Sequence, residues 1–364
     1  MQFPPFRLER WLARHEADAE ITLAESGIRA LSADRFDWDS GRLDYVVPTN
    51  GDPALRGAIA DRYGRSADEA LLTVGTQEAN FVSILACMGA GDHAVVVTPA
   101  YQSLVSLPAT LGEVTRVELS PPNWSLDVDR VAAALRPDTR LVILANPNNP
   151  VGHVHPEPTM AALADMAADV GATLLCDEVY RGLVADPPPR AAAVADDAIS
   201  TAGLSKAHGM AGARIGWAVG PADRIEAAWG VTDYTTISPA GPSQTAAAAV
   251  LTDPDREAAI LRDNRALAAR NRERIADWIE THELQWCRPA TVIAMVGVPS
   301  DWADGRAFCA AALEATDVLL VPGDVFGHPD FIRIGFGTDP DRLDRGLDRL
   351  STLIEAGTGR QGRR

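Results

Sequence analysis

The sequence predicts an α/β fold built on a mainly parallel sheet, with a smaller α+β part completed by the C-terminal third. Three observations predict it. Short apolar runs bounded by Gly, Pro, Asn or Asp recur through the middle of the chain, as strands buried on both faces do. Helix-like segments separate them, and alternating β and α implies an open sheet with right-handed crossovers. The last third changes pattern and opens on a long, charged helical stretch. A length of 364 residues suits two domains, or one large domain with a smaller cap.

Taken in order, the strand-like runs are 94–98 (AVVVT), 141–145 (LVILA), 173–177 (TLLCD) and 215–219 (IGWAV), all read as parallel-sheet strands. The helix-like segments are 77–88, 128–135 and 158–170. Residues 255–282 form the long charged helix, and 291–296, 318–321 and 331–335 are strand-like. Asp339-Pro340 opens a last helix, with Asp as N-cap and Pro at its first position. Leu343, Leu347, Leu350 and Ile354 give that helix one apolar stripe, and Gly357 ends it. These patterns divide the chain into a large α/β domain, 41–250, and a small domain, 1–40 with 251–364. Ligands of open α/β sheets bind at the carboxyl ends of the strands.

Bulk composition excludes several classes. With 46% hydrophobic and 23% charged residues, the chain is neither disordered, collagen-like nor a disulfide-dense mini-protein. A net charge of −17 argues against nucleic acid and anionic membrane as partners. The only basic cluster, Arg360, Arg363 and Arg364, reads as a frayed tail. There is no long apolar span and no signal-peptide core, so a cytoplasmic location is expected. Cys87, Cys176, Cys287 and Cys309 lack metal or disulfide spacing and read as small buried residues. Excess acid with arginine in place of lysine fits either a high-salt cytoplasm or GC-rich coding.

Lys206 is the only lysine among 33 basic residues. Arginine supplies every other fixed positive charge, so a position that keeps lysine points to what arginine cannot do: lose a proton and add to a carbonyl. Asp177 closes the run 173–177, where it could cap the next segment or face a pyridine nitrogen. Tyr180 could donate to a phenolic oxygen or simply be a packed tyrosine. Asn149 lies in the loop Asn146-Pro147-Asn148-Asn149-Pro150-Val151-Gly152, directly after a strand. Thr73-Val74-Gly75-Thr76-Gln77 reads as strand end, turn and helix start, an anion site, although the commoner reading of a residue such as Thr76 is the N-cap alone. Arg214 would supply the counter-charge. Tyr101 could stack on the ring or merely pack.

In this order the motifs resemble those of the fold-type-I pyridoxal-phosphate enzymes, the aminotransferase class I/II superfamily. The matches are Tyr101 in PAY, Asn149 in NPNNPVG, Asp177 and Tyr180 in DEVY, Lys206 in LSK and Arg214 in ARIGW. The resemblance covers nearly the whole chain. It implies pyridoxal 5'-phosphate as cofactor, held by Lys206 as a Schiff base, with Thr76, Gln77, Tyr101, Asn149, Asp177, Tyr180 and Arg214 around it. It further implies that Arg333 binds the substrate α-carboxylate, with Asn149 beside it. Gly27 resembles the glycine loop that closes over the substrate, and Tyr45 the tyrosine that reaches a neighbouring subunit's phosphate in a homodimer. The expected chemistry is transamination between an L-amino acid and a 2-oxo acid, through an external aldimine and a quinonoid, with Lys206 as proton carrier.

The alternative is elimination, replacement or cyclisation. It is suggested by PAYQSL (99–104), VPGDVFG (321–327), RIGF (333–336) and LERWL (8–12), which resemble the capreomycidine synthase-like branch acting on a hydroxylated arginine. Two positions depart from the family pattern. Gly203 replaces a phosphate-binding Ser or Thr, leaving Thr76, Thr201, Ser205 or backbone to compensate. Val151 replaces the usual loop threonine. Glu16, Asp18, Glu20 and Glu25 could bind a cationic side chain or form a solvated acidic face, the latter being favoured. Two other readings rank low. A cofactor-sensing regulator lacks a DNA-binding module, and a nucleotide-binding protein lacks GxGxxG and P-loop signatures.

Overall fold

The computed structural model describes residues 2–35 and 43–361. The boundary at residue 40, and the side chains of Arg360, Arg363 and Arg364, lie outside the described residues. In chain order the strands are β1 (Ile21–Thr22), β2 (Ala70–Thr73), β3 (His93–Thr98), β4 (Glu113–Glu118), β5 (Thr139–Ala145), β6 (Thr173–Asp177), β7 (Ala198–Gly203), β8 (Gly216–Val219), β9 (Ile293–Gly297), β10 (Val318–Leu319), β11 (Val321–Pro322) and β12 (Phe331–Gly335). The helices are α1 (Arg7–His15), α2 (Pro53–Ala60), α3 (Thr76–Cys87), α4 (Gln102–Leu111), α5 (Val128–Ala134), α6 (Glu157–Asp169), α7 (Ala191–Val194), α8 (Ala222–Thr232), α9 (Gly241–Leu251), α10 (Pro254–Thr281), α11 (Gly305–Thr316) and α12 (Pro340–Gln361).

The main sheet has the order β2-β8-β7-β6-β5-β3-β4. The neighbours from β4 through β7 pair in parallel, and the apolar runs of β3, β5 and β6 are buried on both faces. β8 runs antiparallel to both β7 and β2, which corrects the reading of 215–219 as a parallel strand. The cause is the connection. Residues 204–215 hold one short 3-10 turn and no crossover helix, so the chain turns back beside its own strand. β4 (EVTRVE) was not expected as a strand. It is the sheet edge, and its exposed charges discourage further pairing while hiding the apolar signal. β7 (AISTAG) is wholly buried yet built of small residues with little strand signature.

Beyond the sheet, β9, β11 and β12 form an antiparallel sheet, and β1 pairs in parallel with β10. The 318–321 run is therefore two strands, which Leu320 separates and which have different partners. Leu343, Leu347, Leu350 and Ile354 of α12 join Ile293, Phe308 and Phe336 in one core. The Asp339 carbonyl accepts from the Leu343 N–H at 3.0 Å, while its carboxylate pairs with Arg29 instead of capping the helix. Gly357 does not end α12, which runs on to Gln361. One interior glycine costs only about 1 kcal/mol, and no proline follows to stop the helix. Cys87, Cys176 and Cys309 are buried and free; Cys287 is free but only half-buried. Among the described residues no helix is long and apolar enough to cross a membrane, and no group of three or more His, Cys, Asp or Glu could hold a metal ion.

Because β2 is antiparallel to β8, it points the same way as β7. The carboxyl ends of β2, β3, β5, β6 and β7 and the amino end of β8 therefore share one edge of the sheet. That edge opens on a cleft of about 640 Å³.

Candidate active site

Asn149, Asp177, Lys206 and the Thr76 corner lie at that edge, each for a local reason. After β5 the asparagine-rich loop divides its labour. Asn146 exchanges two hydrogen bonds with the backbone of His155, both at 3.0 Å. Asn148 holds the Pro99 carbonyl at 3.0 Å and accepts from the Val151 N–H at 3.2 Å. Val151 is buried in the core, so its replacement of threonine is a packing change. With its neighbours committed to the loop, Asn149 alone faces the cleft, accepting from Arg333 Nη1 at 3.2 Å.

Asp177 ends β6 in a buried cradle. Asn80 Nδ2 donates to Oδ2 at 2.8 Å and the Val179 N–H donates to Oδ1 at 3.0 Å. Asn80 is itself held by the Thr201 hydroxyl at 2.5 Å. Burial pushes the Asp177 carboxyl up, against the Asn80 and Val179 hydrogen bonds and the charge of Lys206. A buried carboxylate lining a cleft, with no cation bonded to it among the described residues, suits a ligand that brings one.

Lys206 follows β7 and reaches into the cleft, where its Nζ donates to Ser26 Oγ at 2.9 Å. Burial lowers its ammonium below the ordinary lysine value, with Glu25 and Glu9 opposing. Gly27 lies against it, since a Cβ there would sit 3.3 Å from the Ser205 carbonyl and 3.5 Å from Lys206 Cδ. Arg333 on β12 is buried, donating to the Ala24 carbonyl at 2.8 Å as well as to Asn149, with Nε unpartnered. Tyr180 is buried with an unpartnered hydroxyl, and burial pushes its phenol up to about 12. The Tyr101 hydroxyl donates to Glu9 at 2.6 Å.

The phosphate corner also corrects an expectation. Thr76 is not the N-cap of α3; Gly75 is, at φ 78°, and the buried Thr76 hydroxyl has no partner. The Gln77 side chain is taken up by Ser103 at 2.9 Å, which leaves its backbone N–H at the helix start. Arg214 closes over Gly75, where any Cβ would come 2.6 Å from its guanidinium. Ser205 borders this corner, whereas Thr201 is committed to Asn80 and cannot substitute for the missing hydroxyl. The Gly203 departure has a steric reason. A Cβ at Gly203 would meet Thr76 Oγ1 at 2.6 Å and the Ile215 carbonyl at 2.8 Å. In this chain the Thr76 hydroxyl occupies the space the family's side chain would need. Gly203→Ser should therefore lower stability by about 1–3 kcal/mol and weaken cofactor retention, read as a lower thermal midpoint and faster cofactor loss on dialysis.

The family model for aminotransferase class I and II matches residues 28–350. The chain belongs to that family. Capreomycidine synthase of Streptomyces vinaceus is 33% identical over 99% of this chain and 96% of its own length. A pyridoxal-phosphate-dependent aminotransferase structure from Streptococcus suis superposes with a TM-score of 0.90 at 28% identity, covering 98% of this chain and 99% of that one. The solved pyridoxal-phosphate-dependent cyclase OrfR gives 0.85 at 28% identity, covering 98% of each. The cofactor is pyridoxal 5'-phosphate, and the cleft fits it. The orphaned hydroxyls of Thr76 and Tyr180, the buried Asp177 carboxylate with its neutral donors, and the lone lysine have the chemistry that its phosphate, phenolic oxygen, ring nitrogen and aldehyde would need.

Several cleft residues escaped the sequence reading. Asn80 sits one helical turn after Thr76 on the buried face of α3, which also carries Thr76 and Ser83, so nothing local sets it apart. Ser26 and Glu9 are brought in by the N-terminal segment, and no local signal marks them. The acidic group also divides differently. Glu16 and Glu25 line the cleft mouth with Glu9, Glu20 bonds Arg349 at 2.7 Å, and Asp18 is exposed outside it. Tyr45 is exposed and lies outside the cleft of its own chain.

Proposed function

We propose that the protein transfers the amino group of an L-amino acid to a 2-oxo acid, working in the cytoplasm. The observation that carries this reading is the convergence of Lys206, Asp177 and Arg333 on one cleft. Bound there, pyridoxal 5'-phosphate supplies an electron sink for a carbanion at the substrate α-carbon. Lys206 is its attachment point. Its free amine would take the α-proton, and a depressed pKa favours the neutral form that can do so. Asp177, held by Asn80 and the Val179 N–H, keeps the ring nitrogen protonated. Asn149 and Tyr180 serve the phenolic oxygen, and Tyr101 flanks the ring. Arg214, Thr76 and the Gln77 N–H take the phosphate. Arg333 binds the substrate carboxylate, buried and oriented by Asn149 and the Ala24 carbonyl. Gly27 keeps the N-terminal segment close over Lys206. Incubation with amino acids and 2-oxoglutarate should yield glutamate. Ammonia or a cyclised product without glutamate would instead support the second reading.

That second reading is elimination or cyclisation of a hydroxylated, arginine-like amino acid. Glu9, Glu16 and Glu25 at the cleft mouth favour a cationic side chain. Burial first, then contact with Glu25 and the charges of Glu25 and Glu9, push the Glu16 carboxyl up, a repulsion that a bound cation would relieve. The likeness to capreomycidine synthase supports the same chemistry. Replacing Glu16 and Glu25 together by Gln should raise KM for cationic amino acids about tenfold and leave KM for neutral ones unchanged.

We also propose a homodimer. Leu43, Tyr45, Val47, Tyr234 and Ile237 are exposed, and Trp229 ties the two segments together through Thr49 at 3.1 Å. A second copy covering this surface would bring Tyr45 to its partner's phosphate corner, and sedimentation of the loaded protein tests it.

A further inference from the structure

Adjoining the Lys206 loop is a second cavity, of about 820 Å³, between α2, the turn after Tyr180, β7, β8 and the start of α10. Its charge is unlike that of the chain as a whole, which carries −17. Arg181, Arg190 and Arg265 line it, and among the described residues none of them pairs with a carboxylate. Their bonds go to backbone carbonyls: Arg181 to Pro188 at 3.0 Å, Arg190 to Arg62 at 3.3 Å and Arg265 to Gly182 at 2.8 Å. Each keeps N–H donors unused by these bonds.

The acids that face the same space offset this cluster only in part: the charge of Glu178 raises Arg181, but less than Arg190 lowers it. Glu257 is engaged by Arg62 at 2.6 Å and His208 at 3.0 Å. Glu178 is buried, its Oε1 accepting from the Ala191 N–H at 2.8 Å and the Ser200 hydroxyl at 2.7 Å. Asp61 is exposed at the rim. Two atoms of buried lining side chains have no partner at all, Glu178 Oε2 and His208 Nδ1. Burial, followed by the neighbouring Arg190 charge, pulls Arg181 below the ordinary arginine value, so the cluster repels itself as it stands. Like charges gathered around a cavity lower their energy by taking up an anion. The orphaned Glu178 oxygen narrows the choice. It needs a donor, and a phosphate monoanion carries an O–H where a carboxylate carries none.

We propose that this cavity binds a small phosphate-type oxyanion through Arg181, Arg190 and Arg265, separately from the phosphate of the cofactor. The site lies next to the catalytic loop. Ala207 and His208, the two residues after Lys206, form part of its wall, and so do Glu178 and Val179, the two after Asp177. Occupancy would stiffen both segments from behind. This inference is independent of whether the cleft transaminates or cyclises.

The test uses protein loaded with pyridoxal 5'-phosphate, so that the cofactor's own phosphate corner is filled. Calorimetric titration with inorganic phosphate should show one site per chain and a phosphate-dependent rise in thermal midpoint. Arg190→Gln and, at a second position, Arg265→Gln should each weaken phosphate binding at least about tenfold while leaving the cofactor's visible band and phosphate-free turnover unchanged. Three results would overturn the proposal. They are no binding at millimolar phosphate, binding untouched by either substitution, and binding lost in Arg333→Gln but kept in Arg190→Gln, which would place the anion in the substrate cleft. Equal, Arg190-dependent binding of succinate would overturn the assignment to phosphate.

Discussion

Lys206→Ala should give a folded protein that neither attaches the cofactor nor turns over. The wild-type protein should show a visible band that borohydride traps, and the variant none; turnover should fall by about four orders of magnitude or more. Two functions are removed together. One is the covalent attachment, and the other is the amine that carries the α-proton, a role that alone accounts for about 10²–10⁴ in rate. No second lysine exists to take over either function. Lys206→Arg should fail equally, because a guanidinium stays protonated and cannot add to a carbonyl. Folding should survive. The Nζ makes one bond, to Ser26, and the rest of the loop is tied by backbone contacts such as the Ile28 N–H to the Lys206 carbonyl at 3.2 Å. Removing a desolvated ammonium also removes its burial penalty. A borohydride-sensitive band that survives in Lys206→Ala would refute the assignment of the lysine.

Much of this site was legible because the family's chemistry is carried by short, local strings at strand ends. Asp177, Asn149 and Arg214 each follow or precede a strand whose apolar run announces it, Lys206 is marked by being the lone lysine, and the sheet topology brings these ends to one edge. What escaped notice is non-local. Asn80 supports Asp177 from a helix 97 positions earlier, and Glu9 reaches Tyr101 across 92. Neither contact leaves a trace in either segment alone. The antiparallel turn of β8 was missed for a different reason. A buried apolar run does not record its direction; only the lack of a helix in 204–215 does. In the sequence Gly203 looks like a missing ligand, whereas the geometry makes it a condition for Thr76 to lie where it does.

Asp177→Asn should separate catalysis from stability, because it moves them in opposite directions. The substitution keeps the shape of the side chain, and Asn80 can adapt by turning its amide while the Thr201 hydroxyl accepts instead of donating. The charge is lost, however, and with it the partner of a protonated ring nitrogen. Leaving one half of a buried pair alone costs about 3–5 kcal/mol, which corresponds to roughly 10²–10⁴ in turnover. In the cofactor-free protein the sign reverses. Burial raises the Asp177 pKa above the ordinary aspartate value, so the folded state binds more protons than the unfolded one between the two. Stability of the free protein therefore falls as pH rises through that interval and stays reduced above it. Asp177→Asn removes this penalty. Its free form should melt at a higher temperature than wild type at neutral pH, with the gap closing toward acid. Wild type should recover the difference when pyridoxal 5'-phosphate binds, and the variant should gain less. A variant that loses turnover but shows the same pH dependence of melting as wild type would mean that Asp177 is paired with a cation before the cofactor arrives. The proposed role, in which the ring nitrogen is its first positive partner, would then fail.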